Sequence, residues 1–147
     1  MRFTAFSLFA IASAAFAAPS NVARSGSLQI KELRAVASSY IHSANIHFTL
    51  TSTNYPDEPV TDCNVIWSYG KDPETNARCN NGKYYIRFPN GGADITQLAL
   101  ELERVSGSPA EKGQVYLGGQ ETWVCGGSGG ADGPQRCDYT GVLTINV

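Results

Sequence analysis

Residues 28–41 read LQIKELRAVASSYI, Leu28 to Ile41, and the period of their apolar side chains decides whether the chain is all-β or mixed. Ile30, Leu33, Val36 and Tyr40 recur at three- and four-residue spacing, the signature of one helix face. Lys31, Glu32, Arg34, Ala35 and Ala37 also favour helix. Yet Leu28, Ile30 and Glu32 begin an alternation that fits a first strand, closing a sheet against Leu143 and Ile145. Pattern alone leaves the two readings level.

Outside this stretch the period is two. Ile46, Phe48 and Leu50 point one way while His47, Thr49 and Thr51 point the other, and Leu98, Leu100 and Leu102 oppose Ala99, Glu101 and Glu103. Further strands are predicted over Cys63 to Ser68, Lys83 to Phe88, Gln114 to Leu117 and Tyr139 to Val147, each carried by β-branched or aromatic residues. Asn81-Gly82 supplies the positive φ angles of a tight turn, and Asn90-Gly91-Gly92 fits a hairpin joining the Tyr84 and Leu98 strands. Residues 53–61 (TNYPDEPVT) and 105–113 (VSGSPAEKG) read as polar surface loops. Short strands between turn signals make an antiparallel β-protein.

Cys125 and Cys137 bracket eleven residues, GGSGGADGPQR, too poor in apolar side chains to hold a shape unaided. Glycine loses the most backbone freedom on ordering, so a covalent bridge at the ends is the economical way to fix such a loop. Cys63 and Cys79 flank a second loop, with turn residues Ser68-Tyr69-Gly70, Asp72-Pro73 and Asn76. Four cysteines allow three pairings, and this local order selects Cys63–Cys79 and Cys125–Cys137. Close Cys-x2-Cys pairs of the zinc-binding kind do not occur, and no metal or cofactor is expected.

Disulfides require an oxidising compartment, and the first residues supply a route to one. Arg2 precedes an apolar run from Phe3 to Phe16, and Ala15-Phe16-Ala17 matches the small-x-small cleavage rule. A signal peptide over residues 1–17 is expected, then a flexible mature N-terminus (18–27) and a single domain (28–147). The run is too short for a bilayer span, which takes about 20 residues, so the mature protein is expected to be secreted and extracellular. Without Arg2 the chain carries ten Lys and Arg against thirteen Asp and Glu, with no basic block. Nucleic acid and anionic membrane are therefore not expected partners.

The Cys-x11-Cys clamp with its Gly133-Pro134 loop before a last apolar strand, the Cys63 and Cys79 pair in mid-chain and the ladder of strands together resemble the Alternaria major-allergen family, over roughly Leu28 to Val147. The resemblance implies a small disulfide-stapled antiparallel β-barrel, and makes residues 28–41 a strand. It also implies a protein secreted by fungi that colonise plants, of the allergen, effector or elicitor kind, which acts without catalysis by binding a host plant extracellular protein or a small apolar compound. The type member joins two subunits through a cysteine near its mature N-terminus. Residues 18–62 here contain none, so no covalent dimer is expected.

Candidate chemistry is sparse. His47 opposes Phe48 and reads as a surface histidine. A catalytic alternative would pair it with Glu101 or Glu103 on a neighbouring strand, with Arg87 or Arg104 steadying a phosphate, as in a secreted hydrolase. A wall- or carbohydrate-binding module is the companion alternative. No Gly-x-Ser-x-Gly motif occurs, and bridged cysteines are not nucleophiles. Trp67 falls in register with Cys63 and Val65 and is expected in the core; one of Tyr84 and Tyr85 faces inward. Trp123, beside Glu121 and Thr122, either packs under the glycine loop or stands as an exposed anchor. With Gly126, Gly127, Gly129 and Gly130 it forms the candidate binding site, a rigid aromatic beside accessible backbone.

Overall fold

The computed structural model describes residues 26–127 and 133–147; the expected signal peptide, most of the 18–27 segment, Gly129 and Gly130 lie outside them. Nine strands form among the described residues: β1 (Ser27–Ser38), β2 (Ser43–Ser52), β3 (Thr61–Ser68), β4 (Tyr84–Arg87), β5 (Leu98–Arg104), β6 (Lys112–Leu117), β7 (Trp123–Gly127), β8 (Gln135–Tyr139) and β9 (Leu143–Asn146). Every pairing is antiparallel. One sheet runs β3-β2-β1-β8-β7 with β9 also on β1, and a second runs β4-β5-β6. The inward side chains of both sheets make one core, with Ile30, Ile46, Phe48 and Leu50 from the first and Ile86, Leu98, Leu100 and Leu102 from the second, all essentially inaccessible.

Residues 28–41 are strand as far as Ser38, and a bulge explains their helix-like period. Lys31 pairs with Thr49 and Arg34 with His47, so Glu32 and Leu33 together oppose one residue of β2. Glu32 takes φ 55° to do this. The extra residue shifts the inward phase: Leu28 and Ile30 point in before the bulge, Leu33, Ala35 and Ala37 after it. An interval of three between Ile30 and Leu33 is thus a bulged strand, not a helix turn. The same bulge lets one long strand serve two partners, β9 along Ser27–Ile30 and β8 along Arg34–Ala37.

The all-β antiparallel reading with two disulfides holds, but the ladders do not close into a barrel among the described residues. At one flank, residues 77–80 lie between the sheets: Asn80 N–H donates to Asp62 C=O of β3, and Cys79 N–H to Tyr84 C=O of β4. At the other, β9 meets β6 by packing alone, and a Cβ on Gly113 would fall 2.4 Å from Ile145 Cγ2.

Two expected elements change. Tyr139 to Val147 is not one strand, because Gly141 at φ 93° turns the chain between β8 and β9. The Cys125–Cys137 span is less of a loop than its composition suggests. Gly126 and Gly127 continue β7, and Gln135 and Arg136 open β8. The Asn81-Gly82 turn forms, with Gly82 at φ 71° and its N–H on Cys79 C=O. Asn90-Gly91-Gly92 does turn the chain, but inside a longer connection where Asn90 Oδ1 accepts from Ala99 N–H.

Candidate functional site

Both expected disulfides are present, Cys63–Cys79 and Cys125–Cys137, and no free cysteine remains among the described residues. Cys63 and Cys79 tie β3 to the crossing segment, and Cys125 faces Cys137 directly across the β7–β8 hairpin.

Trp123 is a correction to the exposed-anchor reading. Its side chain is buried, and the indole Nε1 donates to Ile95 C=O at 3.2 Å. β7 turns its first residue inward, so the ring fills core space and no longer offers a contact surface. Gly126 and Gly127 are exposed, and their backbone stays open. Trp67 is likewise core, with Nε1 on Gly92 C=O and Phe88 against its ring. Tyr84 points inward and Tyr85 outward.

The alternative pairing of His47 with Glu101 or Glu103 does not assemble. His47 lies on the outer face of β2, whereas both glutamates are on β5 of the other sheet. There Arg87 bonds Glu101 at 3.3 Å and also Glu103, and Lys112 lies 3.4 Å and 3.5 Å from the same two carboxylates. The nearest carboxylate to His47 is Asp62, 3.6 Å away. The β1 bulge does bring Glu32 and Arg34 beside His47, around a cavity of about 380 Å³ that Asp138 and Tyr139 complete.

Arg104 belongs to a network absent from the sequence reading. Its guanidinium donates twice to Glu58, at 2.7 Å and 3.2 Å, and once to Tyr84 Oη at 2.8 Å. Tyr84 in turn donates to the buried Glu111 at 2.6 Å, which also accepts from Asn54 at 3.0 Å and from Ser52. The Arg104 hydrogen bonds, assisted by Lys83, pull the Glu58 carboxyl down to about 2. Burial first, then the bond to Glu111, pushes the Tyr84 phenol well above its ordinary value. A general acid or base needs a pKa near working pH. These shifts move Glu58 and Tyr84 away from it, and the network acts to fasten the 53–60 and 105–111 loops to the sheet ends.

Exposed apolar side chains occur at the opposite end of the large sheet. The β1–β2 turn presents Tyr40 at 86% and Ile41 at 65% exposure. His42 N–H returns to Ser39 C=O to close that turn, and Tyr69 N–H donates to His42 C=O. This last bond carries the β2–β3 pairing one step past Ser43 and Ser68 and sets Tyr69 beside the turn. Ile66, on the outward face of β3, is 68% exposed. Ile66 and Trp67 also line a cavity of about 510 Å³ together with Lys71, Asp72, Glu74 and Arg78. Exposed aromatic and aliphatic side chains beside a polar rim are the composition of a contact surface. Sequence reasoning missed it because Tyr40 continued the helix-like spacing of Ile30, Leu33 and Val36, and Ile41 only ended the ambiguous stretch. Among the described residues no group of three His, Cys, Asp or Glu is placed to hold a metal ion.

No protein-family model matches this chain, and no curated protein matches it.

Proposed function

We propose that this is an extracellular binding protein, of the secreted fungal effector, elicitor or allergen kind, that acts on a host plant by engaging an extracellular protein without catalysis. The observation that carries the reading is the gathering of Tyr40, Ile41, Tyr69 and Ile66 at one end of a rigid sheet. Projecting apolar side chains suit a protein surface, where a few such anchors carry most of the affinity. A small apolar plant compound is the second ligand class that the resemblance implies. Two disulfides fit an oxidising compartment. The resemblance to the Alternaria allergen family supports the same assignment.

The test is affinity capture from plant apoplastic fluid, with the folded protein and its Tyr40→Ser/Ile41→Ser variant as parallel baits. A partner held by the first and lost by the second supports the reading; identical captures refute it. The hydrolase or carbohydrate-binding alternative draws on the Glu32, Arg34 and His47 cavity. Turnover of RNA or plant-wall glycan by the purified protein, abolished by His47→Ala, would favour it.

A further inference from the structure

Each sheet of this protein ends in strands whose outer edges must be satisfied, because a bare edge is a template for another strand. The edge of β3 is met at its Thr61–Asp62 end, by Asn80, whose N–H bonds Asp62 C=O, and by Asn81, whose N–H bonds Thr61 Oγ1 at 3.3 Å. β4 is met by the same crossing segment, through Cys79 N–H on Tyr84 C=O and Ile86 N–H on Ala77 C=O. β6 has β9 lying across Gly113. β7 differs. It pairs with β8 alone, and among the described residues no other strand or loop shares a main-chain hydrogen bond with any part of Val124–Gly127. Nor does its sequence, Trp-Val-Cys-Gly-Gly, contain the lysine, proline or bulge that guards an edge; its register with β8 is unbroken.

The parity of this edge follows from the disulfide. Cys125 and Cys137 are direct partners with Cα atoms 4.0 Å apart, the close spacing of a pair that exchanges no main-chain bonds. The N–H and C=O of Cys125 therefore point outward, as do those of Gly127 and the C=O of Trp123, two residues to either side. Trp123 N–H is spent on Gln120 C=O. An antiparallel strand that matches this pattern is β7 itself. Centred on Cys125, two copies would place Cys125 opposite Cys125 and Trp123 opposite Gly127, joining every outward group except the two Gly127 carbonyls through four main-chain hydrogen bonds.

Side-chain shape agrees with that register. Val124, 56% exposed, would lie opposite Gly126 of the second copy, and a Cβ on Gly126 meets nothing within 4 Å. The projecting residue of one edge covers the bare residue of the other, twice over by symmetry. The disulfide fixes β7 to β8 beforehand, so little order is lost on pairing. We infer that the β7 edge is a homodimer interface, at which two copies join noncovalently into one continuous sheet about a two-fold axis at Cys125. The occupant is a second copy of this chain, selected by this self-complementarity. The inference stands apart from the proposed function and places the two copies of the Tyr40 end on one particle.

Sedimentation equilibrium of the disulfide-intact protein across the micromolar to millimolar range tests it, alongside two variants. Val124→Lys sets a cation beside Asp138 in the monomer but aims it over Gly126 toward the second copy's Arg136 in the pair. Gly127→Pro removes an outward N–H that β8 does not use. The expected result is a reversible dimer whose dissociation constant rises at least about tenfold in both variants at unchanged melting temperature. Amides of Cys125 and Gly127 should also gain exchange protection as concentration rises. A wild-type monomer throughout, or a dimer indifferent to both substitutions, overturns the inference. So does protection that appears on another strand, or on β7 only when an unrelated peptide is added.

Discussion

Arg104 Nη2 donates to Glu58 Oε1 at 2.7 Å while the same guanidinium rests 3.5 Å from the centre of the Tyr55 ring. The arginine side chain is only 6% exposed and the glutamate 24%, so this pair is a largely buried tie between the end of β5 and the 53–60 loop. It has a buried acidic neighbour in Glu111, whose Oε2 lies 4.0 Å from Arg104 Nη1. Removing the cation would leave two carboxylates without it.

Arg104→Ala is therefore expected to destabilise the protein by about 3–5 kcal/mol, the cost of breaking a buried ion pair at one partner. Urea unfolding of the variant measures this. A loss within the range of an exposed pair would show that the tie is dispensable.

Acid should loosen the same tie. Glu58 titrates at about 2 in the folded protein against 4.5 when unperturbed. Its stabilising contribution is thus complete above the unfolded value and is lost as pH falls through the folded one. The melting temperature should drop between about pH 4.5 and pH 2, and Glu58→Gln should flatten that limb. A variant with the parent's acid profile would place the transition on other carboxylates.

How much of this was legible in the sequence depends on the range of the interaction. Alternation in β2, β3 and β5 exposed their core faces directly, since period two needs no knowledge of neighbours. β1 was ambiguous because a bulge at Glu32 and Leu33 changes the inward phase, which on paper mimics a helix interval. β7 was unreadable because two of its five residues are glycines, held extended by pairing to β8. The Glu58, Arg104 and Glu111 network joins residues up to 53 positions apart, and no local pattern announces it. The candidate binding end fell between these cases: its residues were visible, their exposure was not.

Trp123→Ala should behave as a core truncation. The indole fills buried space against the Ile95 segment, so a loss of about 3–5 kcal/mol is expected, with any loss of partner affinity following unfolding alone. Thermal melting and partner affinity on the same variant separate these effects. A stable variant that loses its partner would restore Trp123 as a contact residue.

The Cys125–Cys137 bridge closes a loop whose ends are 12 positions apart. Replacing both cysteines by serine is expected to cost about 3 kcal/mol on the chain-entropy account. Denaturant titration under non-reducing conditions checks the figure, and an unchanged midpoint would show that strand pairing alone holds β7 to β8.

On the proposed function, the Tyr40 and Ile41 end makes the contact with the host partner. Calorimetric titration of the captured plant partner with the Tyr40→Ser/Ile41→Ser variant tests it most directly, because both side chains are exposed and their loss leaves the core intact. A loss of more than about 2 kcal/mol in binding, the mark of a hot spot, is expected at an unchanged melting temperature. Full affinity in a folded variant would contradict it.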